Sequence, residues 1–298
     1  MLISENWPDL LEPGLRKVFD DSYRERPSNI PLLFDVQSSN KAVEHDLSES
    51  ALLDFEIMNG AVPYDDMTEG YKTNYIHNEL ARGFKVERKL VDDDLYGVIN
   101  RRPSRLGRSA RRRRETDAAS MFNNAFNAGF LGGDAVSLCN ASHPSNNSTA
   151  VQSNTGTLVL NDVNLEATRR LMMGFQDDRG GIIEIEPDFL LVPLALEQTA
   201  WEIINSKGKP DTANNNANFH MGKFKLLVWP NYLTSSAQWY LMDSLAMKEY
   251  HLWFDRITPE FQKDREFDTY NAKYSGYMRY SYGWSDWRAI FGNQPAGS

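Results

Sequence analysis

Hydrophobic and polar positions follow different rhythms in the two halves of the chain. Through residues 1–50 the apolar positions are weakly periodic, and Pro8, Pro13, Pro27 and Pro31 break them up. A short helix near Leu10 to Asp20 is predicted there, and the rest reads as an extended arm that needs a surface to lie on. Residues 61–88, AVPYDDMTEGYKTNYIHNELARGFKVER, carry the strand formers Thr73, Tyr75, Ile76, Phe84 and Val86 among many polar residues. With Glu69-Gly70 as its turn, this stretch is predicted to be a long polar hairpin and a poor core candidate. VDDDLYGVIN, residues 91–100, opens with acids suited to a helix N-terminus. From Pro103 to about Phe126 the composition favours a long helix, weakened by roughly 1 kcal/mol at Gly107 and stopped by Gly129, Gly132 and Gly133.

The second half is more regular. A Ser/Asn/Thr-rich loop spans 139–157. Residues 162–175 suit a helix with Ala167, Leu171 and Phe175 four apart on one face. IIEIEPDFLLVP reads as strand interrupted at Pro187, LALEQTAWEIINS as helix, and KFKLLVW, QWYLMD and KEYHLWF as strands. Residues 266–282 alternate in part between aromatic and polar, another strand signal, and the ordered chain ends at GWSDWRAIFG. The fold class is α+β with mainly short connections and no repeat of 20–50 residues.

Composition narrows the function. The 298 residues are enough for one large or two medium domains. No 18-residue apolar run suggests a membrane span, and MLISENWPDLLEPG lacks the form of a secretory signal. Cys139 is the only cysteine, which excludes an intrachain disulfide and a cysteine-based zinc site. His45, His77, His143, His220 and His251 show no metal-ligand spacing, and Asp92-Asp93-Asp94 is read as a helix cap before a cation site. No nucleophile motif or phosphate-binding glycine loop is present, so no metal, cofactor or catalytic residue is expected. The Asn140 and Asn146 sequons mark only a surface loop. Seventeen of the 35 aromatic residues fall between Trp229 and Phe291. Acids interleave them, so a sheet core with contacts between copies is favoured over a stacking platform.

One segment stands apart. RRPSRLGRSARRRRETD, residues 101–117, holds eight arginines, while the whole chain carries −9; set aside those +8 and the remainder carries −17. So acidic a chain is not a general nucleic-acid binder. Arg111, Arg112, Arg113 and Arg114 advance about 100° each on a helix, so at least one must face protein and needs a carboxylate. Arg111 with Glu115 and Arg113 with Asp117 are four apart, in the weaker order for such pairs. Arg101, Arg105, Arg108 and Arg112 crowd one face. The pattern makes sense if the helix meets acidic surface within the protein or on a neighbour.

The order of these segments resembles a known family. EGYKTNYIHNE and ELARGFKVERKLVDDDLYGVI precede a helix ending in MFNNAFN; then come SLCNASHP, IEIEPDFLLVPLALEQTAWEIINS, FHMGKFKLLVWPNYL, QWYLMD and YGWSDWRAIFG. This series, over about residues 50–292, is similar to the major capsid proteins of tailed bacteriophages, in the group of the Mu-like major head subunit, and to the Hong Kong 97-type capsid fold. The resemblance implies an N-terminal arm over 1–48 and an extended E-loop over 49–82 that reaches over a neighbour. It implies a P-domain over 83–157 and 259–283 with a spine helix at 103–127, and an A-domain over 158–258 and 284–298. It implies self-assembly into hexamers and pentamers of an icosahedral head around double-stranded DNA, built in the host cytoplasm with a portal, a separate scaffolding protein and a decoration protein as partners. Expected contacts between copies are Glu69, Lys72, Tyr75, Arg82, Arg111, Arg113, Arg114, Trp284 and Trp287, with Arg101 and Arg105 as candidates to face DNA. Some relatives cross-link an E-loop lysine to an asparagine of another copy; Lys72 lies in that region, and its partner stays open. The alternatives are an encapsulin-like shell and, in another class, a nucleic-acid-binding protein using the arginine run.

Overall fold

A computed structural model describes residues 7–89, 93, 96–148, 150–210, 216–266 and 271–296. The chain opens with helix α1 (Trp7–Tyr23), short α2 (Ile30–Leu33) and strands β1 (Asp35–Ser38) and β2 (Val43–Glu49). Residues 50–68 form an open loop that returns as β3 (Glu69–Ile76) and β4 (Asn78–Glu87). Helices α3 (Tyr96–Ile99) and α4 (Arg101–Asn123) follow, then β5 (Thr155–Gly156), α5 (Asp162–Met172), β6 (Phe189–Val192), α6 (Glu197–Asn205), β7 (Lys225–Val228) and β8 (Trp239–Met242). Helix α7 (Ser244–Tyr250) leads into the long pair β9 (His251–Glu266) and β10 (Asn271–Trp284), and β11 (Ile290–Asn293) closes the chain.

The strands form one sheet in the order β1-β9-β10-β4, another in the order β5-β11-β8-β6-β7, and a two-stranded ribbon β2-β3. The ribbon corrects the predicted hairpin. β3 pairs with β2, while β4 turns away to pair along β10. Glu69-Gly70 is therefore the start of a strand, and the corner is the single residue His77. The ribbon runs from Val43 to Ile76.

Other boundaries shift for physical reasons. The long helix covers 101–123 instead of 103–127 and is closed at Asn124, well before Gly129. Gly132 instead permits a close approach: a Cβ there would lie 2.5 Å from the Trp284 indole nitrogen. α5 turns Leu165, Thr168 and Met172 inward, so Leu171 is exposed rather than on the buried face. KEYHLWF divides, because Asp243 accepts hydrogen bonds from the Leu245 and Ala246 amides and caps a helix through Tyr250. Asp92 and Asp94 of the acidic triplet lie outside the described residues.

α4 serves two cores. Its first half sets Leu106 with Leu15 and Phe19 of α1 and with Val86, Phe261 and Tyr274 of the first sheet. Its last turns set Ala118, Met121 and Phe122 in one core with Leu190 and Tyr240 of the second sheet and Trp253 of the first. α1, a helix expected near Leu10 to Asp20 and longer than that, lies on α4. Gly107 explains the fit, since a Cβ there would stand 2.4 Å from the Phe19 carbonyl oxygen. Alanine should gain roughly 1 kcal/mol of helix propensity, but a backbone oxygen cannot yield as a side chain can. Gly107→Ala is therefore expected to loosen α1, read as faster amide exchange across residues 11–23 with β9 and β10 unchanged.

His251 is fully buried beside Phe34 and Phe122, at ring distances of 6.0 and 6.1 Å. Burial pushes its pKa down to about 4, partly offset by the Leu33 carbonyl 3.3 Å from Nδ1. The unfolded chain, titrating at about 6.5, binds this proton more readily than the folded one. The contribution is thus complete above pH 6.5 and lost as pH falls towards 4. Relative to His251→Phe, the wild-type chain should lose about 2 kcal/mol between pH 7.5 and 5 in urea titrations; a constant difference would refute the assignment.

Candidate assembly surfaces

α4 passes from one core to the other at its arginines, and the helical sweep decides their fates. Arg114 is the inward one, only 7% exposed. Its guanidinium meets Asp255 of β9 in a two-pronged ion pair at 2.7 and 2.9 Å. Trp253 and Tyr280 lie 5.0 and 5.2 Å from it, so it is also held by their ring faces. Arg113 pairs with Asp117 at 2.9 Å, and Asp117 also accepts the Tyr280 hydroxyl at 2.7 Å. The expected Arg111–Glu115 pair does not form. Glu115 accepts from the Ser28 hydroxyl and the Asn29 amide, while Arg111 donates to the Pro27 carbonyl at 2.9 Å. Both residues thereby fasten the segment between α1 and α2.

On the outer face Arg101, Arg105, Arg108 and Arg112 are all exposed. Arg108 is met by Glu25 at 2.7 Å. Arg101, Arg105 and Arg112 make no ion pair among the described residues. Arg82, Phe84, Arg102, Arg105, Leu106 and Arg112 line an open groove of about 390 Å³ between β4 and α4. A second, mainly apolar recess of about 210 Å³ adjoins it, sharing Arg82 and Leu106 and adding Leu80, Met278 and Arg113.

The open loop 50–68 has the opposite character. Phe55 and Tyr64 are essentially fully exposed, and Leu52, Leu53, Ile57, Met58 and Val62 are also uncovered. It carries Asp54, Glu56, Asp65 and Asp66 and no basic residue. Asp65 is taken by Arg179 at 2.6 Å, whose hydrogen bond, foremost, holds its carboxyl below the usual range.

The residues singled out in the sequence separate into two sets. Glu69, Lys72 and Arg82 are exposed on β3 and β4. Tyr75, Trp284 and Trp287 are buried within the chain, which corrects their assignment to contacts between copies. Tyr75 rests on Phe254 at 5.2 Å, Trp284 on Phe130 at 5.5 Å, and Trp287 stacks on His143 at 4.3 Å. Arg114 is likewise spent inside the chain. Asp255 and Arg179 were not foreseen, and Glu115 was foreseen with the wrong partner: nothing local marks Asp255, which lies 141 positions from its arginine. Among the described residues no three His, Cys, Asp or Glu side chains gather to hold a metal ion, and no helix is long and apolar enough to cross a membrane.

Comparison with known proteins decides the family. A family model described as phage capsid protein matches residues 71–293. The chain belongs to this phage capsid protein family. Solved capsids agree in fold. Cyanophage P-SCSP1u shares 10% identity at a TM-score of 0.58, covering 92% of this chain and 89% of that one. The capsid of bacteriophage JBD30 shares 15% at 0.57, covering 77% and 99%. Microbacterium phage Oxtober96 shares 12% at 0.53, covering 91% of each. No curated protein matches in sequence. What these identities convey is the α+β Hong Kong 97-type capsid fold.

In the capsid protein the matched region starts at Tyr71, so most of the ribbon's return strand, α4 and both sheets apart from β1 are family structure, while α1, β1 and loop 50–68 precede it. The buried pair at Arg114 should be the most sensitive polar contact in this framework. Asp255→Ala leaves the guanidinium buried and alone, and is expected to cost about 3–5 kcal/mol in urea unfolding of the dispersed subunit. Arg114→Leu combined with Asp255→Leu should cost less than Asp255→Ala, because no lone charge remains.

Proposed function

We propose that this chain is the major capsid protein of a tailed phage, self-assembling into the icosahedral head that encloses double-stranded DNA. The observation that carries the reading is loop 50–68: an uncovered, apolar and wholly acidic strap beside a subunit with an open arginine groove. Leu53-Asp54-Phe55-Glu56-Ile57 alternates, so an extended strap offers apolar side chains on one face and carboxylates on the other. Seated on a neighbouring copy, that strand sets its apolar face over Phe84 and Leu106, and the long rim side chains of Arg82, Arg105 and Arg112 reach up its edges to the carboxylates on the far face. Burying Leu52, Leu53, Phe55, Ile57, Met58 and Val62 contributes at most roughly 9–18 kcal/mol. Association costs about 4–15 kcal/mol. A single contact of this kind is weak, which suits a shell made of many repeated ones.

On this reading the ribbon with its strap is the E-loop. The first sheet with α4 as spine is the P-domain, and the second sheet with α5 and α6 is the A-domain gathered at the symmetry axes of hexamers and pentamers. α1 and α2 form the N-terminal arm. Portal, separate scaffolding and decoration proteins are the remaining partners, and the site of action is the virion shell after assembly in the host. Arg101 lies off the groove and is assigned to packaged DNA phosphates.

Electron microscopy of the expressed full chain should show closed shells or capsomers. Phe55→Asp with Ile57→Asp, and separately Arg82→Glu with Arg105→Glu, should abolish them while leaving a folded subunit. A monomer that forms no particles and shifts DNA in a salt-dependent manner would establish the rival nucleic-acid reading instead.

A further inference from the structure

The strap's free span is held at its base by two segments for which neither core packing nor shell contacts account. The first is the turn Asp177-Asp178-Arg179-Gly180-Gly181. Asp177 accepts the Arg179 and Gly181 amides at 2.8 and 2.7 Å, and Gly180 takes a left-handed φ of +88°, so the turn is preset with Arg179 directed at the strap. The second is the Ser/Asn-rich loop after Cys139. His143 anchors that loop to Asp134 at 2.7 Å and Asn154 at 2.9 Å.

Between them they grip both legs of the strap. On the outgoing leg Arg179 donates to the Ser50 hydroxyl at 3.1 Å, and Asp178 accepts the Ala51 amide at 2.9 Å. On the returning leg Arg179 donates to the Asp65 carboxylate at 2.6 Å and the Asp66 carbonyl at 2.8 Å. Thr68 donates to Asn147 at 2.7 Å, and Asn147 in turn donates to Asp178. Asp65 also accepts the Leu53 amide at 3.1 Å, linking the legs to each other. One planar guanidinium therefore reaches three acceptors on two separate strands, a geometry a lysine cannot reproduce. Among the described residues the legs are otherwise tied by the Ser50–Thr68 contacts, a backbone bond at 3.0 Å and a side-chain bond at 3.0 Å.

We infer that the 177–181 turn and the 143–148 loop form a clamp that fixes the direction in which the strap leaves its own subunit, with Arg179 as its positioning residue. The apolar span 52–64 is too uncovered to orient itself, so the clamp decides where it points and hence the angle between neighbouring copies. This inference rests on the strap reading above for its consequence in assembly, but not for the clamp itself.

Hydrogen exchange on the full-length chain tests it, together with microscopy of the particles it forms. Arg179→Ala, and independently Asp65→Asn on the strap side, should speed exchange at Ala51, Leu53 and Thr68 by about tenfold or more, the loss of a charge-assisted bond, with β9 and β10 amides unchanged. Shells of both variants should fall in yield or spread in diameter. Should one variant fail to fold, the other reads the same contact from the opposite partner. Unchanged exchange at those three amides would overturn the clamp. Faster exchange with shells of wild-type yield and diameter would overturn its role in setting the angle. If the wild-type chain makes no shells, the capsid reading fails while the exchange result still decides the clamp.

Discussion

A guanidinium removed from water must be met by a carboxylate, and in this subunit that demand falls on Arg114. Helix α4 crosses from one hydrophobic core to the other at this point, and a helix cannot turn four successive arginines outward. Asp255 answers the charge with both oxygens, and one of them also accepts the Trp253 indole N–H at 2.9 Å. The same residue's backbone carbonyl accepts the Ser39 amide at 3.0 Å. Ser39 lies 3.1 Å from His77, whose other ring nitrogen lies 2.9 Å from Ser281 of β10. Spine, central strand pair and ribbon root are thus joined through a few polar contacts. A shift of Asp255 would be felt at the root of the ribbon that carries the strap.

How much of this was legible follows from what a sequence pattern encodes. Period and composition placed α4 within a few residues, because Arg, Ala, Leu and Met favour helix whatever surrounds them. β6, β7 and β8 were legible as short apolar runs. Strand partners were not: β3 and β4 are both polar strands, and alternation says which residues share a face, not which strand lies alongside. A one-residue corner at His77 carries no turn signal. The inward arginine could be deduced from helical geometry, but its partner 141 positions away could not. Trp284, Trp287 and Tyr75 were misread because aromatic side chains dominate cores and interfaces alike. Only burial separates the two cases.

The distribution of polar contacts reflects a division of labour. Where two cores meet, the buried ion pair fixes registry between helix and sheet, a task apolar packing performs less specifically. At the strap's base the contacts are exposed or half-buried, and each adds little stability. Their value is geometric, since they direct a span that has no fold of its own. Loop 50–68 buries too little of its apolar surface to order itself. On the proposed assembly its structure is supplied from outside, at one end by its own subunit and along its length by another.

The arginine run unites these two demands in one helix. Arginine suits both because its planar fork binds carboxylates in two directions and stacks on aromatic faces, while its stem covers apolar surface. Inward, the fork of Arg114 fits between Trp253 and Tyr280 with Asp255 at its end. Outward, Arg105 and Arg112 surround Leu106 and Phe84 with charge but leave the apolar floor open. A groove of that kind rejects a neutral apolar segment less well satisfied at its rim, and rejects a purely acidic one that leaves its floor wet. The segment it favours carries both features in alternation, and within this chain LDFEI of the strap has that pattern. On the proposed seating of the strap, selectivity for a copy of itself follows from pairing opposite charges over matched apolar strips.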